Sequence, residues 1–305
     1  MQPVKDLRLL KDTTIAELLA QFKAGGGFVA KHVAEGAAIF GQMLKDKQCV
    51  KFLSFPAALI ATGCRGVIKD LVRKRLVDVI ITTCGTLDHD IARCFQDYYL
   101  GSFALDDREL HRKGINRLGN VLVPNESYGI VLEKKLLPML AEIYREQKTL
   151  STRELCGEIG RRLENEDSIL FWAAKNRIPV FVPGITDGAV GSQIWMFRQK
   201  HPDFMIDVFR DEEELARIVF EAKKGGALMI GGGISKHHTI WWNQFRDGLE
   251  YVIAITTAVE YDGSLSGARI REAISWGKVK EDAAHVTIEG DATVLLPLVV
   301  APFLA

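Results

Sequence analysis

Residues 227–238 read ALMIGGGISKHH, a run that indicates the junction between a buried strand and a helix. The apolar run from Ala227 to Ile230 indicates a buried strand that ends at Gly231, and the residues after the glycines are predicted to open a helix. Glycines at such a junction let backbone N–H groups approach a phosphate group, and the helix N-terminus adds partial positive charge. Lys236 replaces the third glycine of the G-x-G-x-x-G fingerprint, so the match is imperfect. This stretch alone leaves both nucleotide binding and a plain tight turn open.

Apolar runs rich in valine and isoleucine alternate along the chain with amphipathic segments of helical length. That alternation is typical of an α/β fold, and we predict a Rossmann-like, doubly wound parallel sheet with helices on both faces. Open sheets of this class bind ligands beyond the carboxyl ends of their strands, so residues that follow strands are the first candidates for a site. The predicted strands are Lys51–Phe55, Val77–Thr83, Ile178–Val182, Phe204–Phe209, Ala227–Gly231 and Tyr251–Thr257.

Polar residues and glycines mark the ends of the predicted helices. A serine or aspartate followed three residues later by glutamate forms a capping box at a helix start, and glycine commonly ends a helix. The predicted helices of this kind are one from Ser151 with Glu154 to about Leu163, and one from Asp211 with Glu214 to Gly225 and Gly226.

The N-terminal part of the chain predicts two further helices, Thr13–Lys23 and Phe28–Leu44, separated by a run of three glycines. We find no internal repeat, no low-complexity tract and no linker long enough to divide the chain. The simplest organisation is a single domain, 1–305, with N-terminal helices within residues 13–47 packed on it.

Composition excludes several function classes. The chain has 305 residues with 39 basic and 39 acidic side chains, so its formal net charge is zero and provides no general attraction for nucleic acid or acidic lipid. No secretory signal is evident, and the run from Ala292 to Ala305 is too short to span a bilayer, so we interpret it as a buried closing helix. Five cysteines without a C-x-x-C pair favour a reducing cytoplasm; they are Cys49, Cys64, Cys84, Cys94 and Cys156.

Other strand ends carry polar residues that bear on metal binding. In the segment 82–90, Asp88 and Asp90 flank a histidine and could hold a cation, whereas Thr86 or Asp88 could simply cap the helix that follows. Asp187 and Asp291 are likewise candidate N-caps. No histidine pair has zinc-ligand spacing, so we predict no metal site and favour a proton-accepting role for one histidine of the pair 237–238.

The segment 260–278 contains the strongest candidate for covalent chemistry. Small and hydroxyl residues form a polar loop, after which Trp276 and Lys278 flank a glycine. A lysine amine is nucleophilic only when it has lost its proton, and an aromatic neighbour lowers the local dielectric constant. A surface lysine without function is the alternative that composition alone leaves open.

Five motifs together resemble the deoxyhypusine synthase family. The resemblance covers the chain from about Phe28 to Ala301 in the family's order and is closer to its shorter archaeal members. The motifs are Ser275-Trp276-Gly277-Lys278, Gly231-Gly232-Gly233 with Lys236-His237-His238, Asp262-Gly263-Ser264, Gly114-Ile115-Asn116-Arg117, and Pro124-Asn125-Glu126.

The resemblance implies an NAD-binding transferase that assembles as a homotetramer with active sites at dimer interfaces. Family members use NAD to oxidise spermidine, capture its aminobutyl group as an imine on a lysine, and pass that group to a lysine of a translation factor precursor. The bound NADH then reduces the new imine. No nucleic-acid or membrane partner is implied.

The family's functional residues carry over to individual positions of this chain. Lys278 matches the imine-forming lysine, and His237 matches the histidine that assists deprotonation of the amine. The implied substrate-binding residues are Trp276, Glu272, Asp88, Gly263, Ser264 and Ser192. The implied cofactor-binding residues are Gly232, Gly233, Cys84, Gly85, Asp187, Thr257, Ala258, Asp262, Ser266, Asp291 and Ala292.

The chain departs from the family pattern at three places. The cofactor loop rich in serine and asparagine is here 57–63, which is mostly aliphatic, and an acidic pair is here Asp88 with His89. Two carboxylates that contact spermidine are here Ser192 and Leu265. An NAD-dependent synthase acting on another amine, such as agmatine or putrescine, is therefore an alternative.

Two further alternatives belong to other classes of protein. A sirtuin-like NAD-consuming deacylase would share a Rossmann-like fold, but the cysteine pairs of that class are missing here. A catalytically silent partner subunit would not need Lys278.

Overall fold

The structure, a computed structural model, describes residues 1–304. The helices are α1 (Ile15–Gly25), α2 (Phe28–Lys45), α3 (Cys64–Arg73), α4 (Cys84–Ala92), α5 (Asp107–Arg112), α6 (Gly129–Glu146), α7 (Thr152–Arg162), α8 (Ile169–Asn176), α9 (Ala189–Lys200), α10 (Val208–Glu221), α11 (Ile234–Asn243), α12 (Ile270–Ser275) and α13 (Ala292–Val300). The strands are β1 (Cys49–Ser54), β2 (Val79–Ile81), β3 (Tyr99–Leu100), β4 (Ile115–Leu118), β5 (Val121–Pro124), β6 (Thr149–Leu150), β7 (Val180–Phe181), β8 (Met205–Ile206), β9 (Lys224–Ile230), β10 (Leu249–Thr256) and β11 (Val279–Glu289).

The chain divides into two compact units. The first comprises residues 1–55, 76–79 and those from Leu215 onward, and the second comprises Pro56–Arg75 and Ile80–Glu214. The sequence analysis expects a single domain, and the number of domains stays a prediction.

The first unit contains a parallel sheet in the order β11-β10-β9-β1. Its strands align at their carboxyl ends, where Ser54 pairs with Met229 and Ile230 pairs with Ile255. Helix α2 packs on β10 and β11, and its buried residues recur at helical spacing: Val33, Ala34, Gly36, Ala37, Ile39, Phe40 and Met43. The predicted α/β fold with a parallel sheet flanked by helices is confirmed.

The second unit contains the parallel pair of β2 and β7, a three-stranded antiparallel sheet β3-β5-β4, and the short parallel pair of β6 and β8. The antiparallel sheet is absent from the sequence-based prediction, because its strands are only two to four residues long. A salt bridge buried within this unit joins the Arg65 guanidinium to Asp90 at 2.8 Å. Asp90 also accepts hydrogen bonds from the backbone N–H groups of Ile169 and Leu170 at the start of α8.

The capping box of α7 is confirmed, since Ser151 accepts from the N–H of Glu154 and Glu154 accepts from that of Ser151. The predicted start of the later helix is wrong. Helix α10 begins three residues before Asp211, and the buried Asp211 carboxylate accepts hydrogen bonds from Thr152 and Arg153 at the start of α7. The aspartate therefore caps a helix distant in sequence.

The predicted end of that helix is also wrong. Helix α10 ends at Glu221, and Gly225 and Gly226 lie inside strand β9. The absence of side chains there leaves room for Met43 of α2, whose thioether lies where a Cβ at Gly226 would point. The strand predicted over Phe204–Phe209 is shorter in the structure. Only the two residues of β8 form a strand, because α10 already begins at Val208.

The sequence analysis missed β11, the longest strand. Lys280, Glu281 and Asp282 interrupt its apolar pattern, and the strand is at the end of the strand order in its unit, where one side has no β partner. The predicted closing helix is confirmed as α13, in which Leu296, Val299 and Val300 are buried. None of the helices described within residues 1–304 is long and apolar enough to cross a membrane.

Candidate active site

The helix predicted after the glycine turn that follows β9 is confirmed. Gly232 has φ +100°, a conformation that side chains other than glycine rarely adopt, and α11 begins two residues later. Gly233 is the N-cap of α11 without a side-chain capping bond, and a Cβ placed on it would meet no atom within 4 Å. The turn therefore leaves open space in front of the first N–H groups of α11.

Two buried hydroxyl groups lie close to this turn: one follows it in sequence, and the other lies at the same edge of the sheet. Ser54 is the last residue of β1, Ser235 is the second residue of α11, and neither Oγ atom has a hydrogen-bond partner. Buried hydroxyl groups without partners are unusual, because each loses its hydrogen bonds to water. Together with the open glycine turn, they fit the phosphate groups of the dinucleotide that the resemblance implies.

The predicted cofactor residues beyond β10 and β11 occupy two connected strand ends. The N–H of Gly290 donates to the carbonyl of Thr256 at 2.9 Å, which brings the segments 257–258 and 291–292 together. Asp291 is the N-cap of α13, and its carboxylate accepts from the N–H of Thr293. Its capping role is thus confirmed, and its role toward a cofactor stays a prediction.

The loop 262–268 contains four further predicted site residues. Hydrogen bonds from the side chain of Ser264, and then from its N–H, hold the pKa of Asp262 below its ordinary value. The hydroxyl groups of Ser266 and Thr256 lie 3.0 Å apart, which fixes the loop to the end of β10. Gly263 has open space around its Cα atom.

Lys236 fixes this loop from α11. Its side chain is only 3% exposed, and its ammonium donates to the carbonyl oxygens of Leu265 and Ala268 at 2.8 Å each. Burial lowers its pKa to about 8. The sequence did not reveal this role of Lys236, which was noted there as a replacement for a glycine and as part of a family motif, because neither carbonyl partner is near it in sequence.

Lys278 directly precedes β11 and is 7% exposed. Its side-chain nitrogen lies 5.0 Å from the ring centroid of Trp276 and 5.6 Å from that of Trp241. From sequence, Lys278 is predicted only to follow the polar loop. The structure brings its side chain to Trp241 on α11, whose start lies at the carboxyl end of β9.

His237 lies on α11 beside this lysine. Its ring stacks on Trp241 with centroids 5.5 Å apart. Burial, and then the nearby positive charge of Lys278, lower the pKa of His237 below its ordinary value. The imidazole is consequently neutral at pH 7 and can accept a proton.

Trp276 and Glu272 belong to the same short segment as the lysine. Trp276 is the C-cap residue of α12, and Glu272 lies in the first turn of that helix with its side chain exposed. The structure thus brings together Lys278, His237 and Trp276. Trp241 is the residue that the sequence analysis missed; its spacing of four residues from His237 on a helix was the available signal.

The remaining predicted site residues lie in the second unit. Asp88 is buried on α4, and its carboxylate accepts from the N–H groups of Ala189 and Val190 at the start of α9 and from the Tyr128 hydroxyl. Burial raises its pKa. These contacts give Asp88 a capping role, whereas its predicted contact with substrate stays a prediction.

Three neighbours of Asp88 are also predicted site residues. Cys84 is buried, and burial raises the pKa of its thiol to about 12, so it is not a thiolate at neutral pH. A Cβ on Gly85 would lie 2.7 Å from that of Ala57, so this glycine permits close packing. Asp187 lies in the turn before α9, and the prediction that it is an N-cap is wrong, because the N-cap of α9 is Gly188 without a side-chain capping bond.

Ser192 is exposed on α9, and its hydroxyl donates to the carbonyl oxygen of Gly188. Within residues 1–304, no cluster of three or more histidine, cysteine, aspartate or glutamate side chains could hold a metal ion.

Comparison with known proteins identifies the family. The family model described as deoxyhypusine synthase matches residues 17–303. Proteins named probable deoxyhypusine synthase from Picrophilus torridus and Thermoplasma acidophilum are 60% and 56% identical over 303 residues, 99% of this chain and 97% of each relative. The homologue of the same name from Ignicoccus hospitalis is 46% identical over 309 residues, 100% of this chain and 96% of its own.

The fold is also that of a solved structure. The crystal structure of a "putative deoxyhypusine synthase" from Entamoeba histolytica aligns with a TM-score of 0.67 at 22% identity, over 98% of this chain and 95% of that one. The family model and the archaeal relatives cover nearly the whole chain. On this basis the chain belongs to the deoxyhypusine synthase family.

Proposed function

We propose that this chain is an NAD-dependent deoxyhypusine synthase that transfers the aminobutyl group of spermidine to a lysine of a translation factor precursor. Aminobutyl transfer that depends on NAD is the reaction of its family. The observation that carries the proposal is the side chain of Lys278, which is almost fully buried and enclosed by Trp241 and Trp276 beside a neutral His237.

Lys278 is the nucleophile in this proposal. When bound, NAD supplies the oxidation that turns the secondary amine into an iminium ion and the reduction that completes the product. The neutral Nζ of Lys278 adds to the iminium carbon, the original C–N bond breaks, and the released nitrogen leaves as a primary amine with the proton that Nζ loses. The aminobutyl group is then held as an imine on Lys278.

His237 is the base that prepares the amine. Its pKa is lowered, so most of its imidazole is neutral at physiological pH and can take a proton from an ammonium group nearby. The stacking of its ring on Trp241 fixes the orientation of the imidazole.

The dinucleotide site in this proposal combines the open turn at Gly233 with the unpartnered hydroxyl groups of Ser54 and Ser235. These groups would donate hydrogen bonds to the pyrophosphate at the start of α11. Asp262, Ser266 and Asp291 line the neighbouring strand ends and are the proposed contacts for the nucleoside parts.

A synthase for another amine is the second candidate. Leu265 offers no side-chain acceptor, and Ser192 offers only a hydroxyl group, at two positions where the family pattern has carboxylates. An amine with fewer charges, such as agmatine or putrescine, would need fewer anionic partners.

We also propose a cytoplasmic homotetramer, in line with the family resemblance. Light scattering coupled to size-exclusion chromatography measures the assembly directly, and a molar mass near that of the 34.0 kDa chain would contradict it.

The experiment that tests the activity is covalent trapping. Wild-type protein is incubated with NAD and spermidine, treated with borohydride, digested and analysed by mass spectrometry, and the aminobutyl adduct is expected on Lys278. Lys278→Ala and Lys278→Arg should both abolish it, because a guanidinium stays protonated and does not attack. Lys280→Ala is the matched control, since Lys280 lies two residues further on and pairs with Glu250.

Two results would count against the proposal. An adduct that persists on another lysine in Lys278→Ala would remove the assignment of the nucleophile. Release of nicotinamide from NAD with an acylated peptide, without an amine adduct, would favour the deacylase.

A further inference from the structure

The positive charge of Lys278 is held by aromatic faces. Its ammonium lies 5.0 Å and 5.6 Å from the ring centroids of Trp276 and Trp241, within the range of cation–π attraction. Among the ion pairs described within residues 1–304, none joins Lys278 to a carboxylate. The charge at this nitrogen therefore has two indole rings as its neighbours.

Trp241 is held in place by one aromatic neighbour on its own helix and one just beyond the end of that helix. His237 stacks on it one turn earlier, and Phe245 contacts it edge-on one turn later with centroids 6.0 Å apart. The side chain nevertheless remains 42% exposed. An exposed tryptophan with a fixed orientation contributes little to the hydrophobic core, so its contact with Lys278 is the feature that needs an explanation.

We propose that Trp241 and Trp276 form an aromatic clamp that stabilises the positively charged imine on Lys278 and protects it from water. This inference rests on the proposed function. When the imine forms, the carbon of the oxidised amine bonds to Nζ, its bond to the original nitrogen breaks, and that nitrogen leaves as a neutral primary amine. The positive charge is thereby transferred to Nζ, the atom that both indole rings face.

An aromatic clamp differs chemically from a carboxylate in the same place. A carboxylate would also stabilise the cation, but it could act as a base and activate water to hydrolyse the imine. An indole ring offers its π face to the cation and has no basic acceptor atom. The clamp would therefore preserve the imine until the acceptor lysine arrives.

The decisive variant is Trp241→Leu, which removes the π face and keeps an apolar side chain. Incubation with NAD and spermidine followed by borohydride should trap about tenfold less adduct on Lys278, a factor that corresponds to about 1.4 kcal/mol. A larger share of the oxidised amine should appear as free aminobutyl aldehyde, the product of imine hydrolysis. Trp241→Phe should restore most of the adduct, because phenylalanine retains an aromatic face.

Trp172→Leu is the matched control. The Trp172 ring also contacts a lysine, with the side-chain nitrogen of Lys175 4.6 Å from its centroid, and its other ring contacts are with Phe171 and Arg73, which are not predicted site residues. This variant should trap as much adduct as the wild type. The NAD-dependent rise in melting temperature of each variant reports whether its fold and cofactor site are intact.

Three outcomes would overturn the clamp. One is that Trp241→Leu gives the same yields of adduct and of aldehyde as the wild type. Another is an equal loss in the phenylalanine and leucine variants. If the leucine variant does not fold, Trp241→Met takes its place in the comparison with Trp241→Phe. Equal yields of trapped adduct in the methionine and phenylalanine variants would be the third outcome. Absence of any adduct in the wild type would instead refute the proposed function.

Discussion

The side-chain nitrogen of Lys236 lies 2.8 Å from the carbonyl oxygen of Leu265, which ties the start of α11 to the loop 262–268. The same ammonium also donates to Ala268. A buried cation held only by carbonyl oxygens is stabilised less than one paired with a carboxylate, in agreement with a pKa lowered to about 8 from 10.5. The order of this loop is therefore linked to pH.

We expect the loop to become more protected as the pH rises through 8, because opening that exposes Lys236 to water returns its pKa toward 10.5, so the closed loop binds fewer protons than the open one. Hydrogen exchange of the Gly267 and Ala268 amides, corrected for the intrinsic rate, should gain protection by about tenfold between pH 7 and pH 9. In Lys236→Met this step should be absent. A step of equal size in that variant would show that another group controls the loop.

The sign for global stability is the same. The folded state releases the Lys236 proton near pH 8 and the unfolded chain near 10.5, so between these values the unfolded state binds more protons. The contribution of this group to the free energy of unfolding therefore rises with pH across that window. Urea denaturation of wild type and Lys236→Met at pH 8 and pH 10 measures the difference, and a wild-type contribution that falls with pH would contradict it.

Gly233→Val should abolish NAD binding and leave the fold intact. The position has negative φ, and a Cβ there would have no atom within 4 Å, so the valine side chain meets only the space reserved for the ligand. Wild type should gain about 2.7 kcal/mol of stability at an NAD concentration 100 times the dissociation constant. Thermal melts with and without NAD test this. Gly129→Val, also in open space, is the control, and retained stabilisation in Gly233→Val would mean that the glycines form only a turn.

Asp88→Asn should destabilise the protein, because the carboxylate accepts from two N–H groups at the start of α9 and from Tyr128. Loss of this cap should cost about 1 to 2 kcal/mol in the free energy of unfolding, measured with urea. Asp203→Asn, which breaks the exposed pair with Lys148, should destabilise the protein less than Asp88→Asn does. An unchanged stability with a raised KM for spermidine would instead support a contact with substrate.

The amine preference should respond to Leu265 and Ser192. Each lost charge-assisted contact weakens the binding of an ammonium group by roughly 1.5 to 3 kcal/mol. Initial rates with spermidine, agmatine, putrescine and homospermidine should shift toward spermidine in Leu265→Asp with Ser192→Asp. A strong wild-type preference for spermidine that the double change does not improve would show that these positions do not set the choice of amine.

Local patterns determined much of this protein. The capping box at Ser151, the apolar run before Gly231 and the helical periodicity of α2 each depend on residues close together in the chain, so the sequence predicted these elements correctly. The motif that ends at Lys278 likewise pointed to the family, which the archaeal relatives confirm. These features are visible in sequence because short-range hydrogen bonds and side-chain spacing produce them.

Tertiary structure decided which of these residues meet. Asp211 caps α7 instead of its own helix, and Lys236 on α11 binds carbonyl groups of a loop distant in sequence. Trp241, also on α11, contacts Lys278, which lies between α12 and β11. The polar segment 280–282 lies inside β11 between the pair of Leu249 with Val279 and the pair of Tyr251 with Ala284, where the register with β10 shifts, so the paired residues on both sides place it in the strand despite its weak local preference. Such contacts depend on the packing of elements far apart in the chain, and no local pattern records that packing.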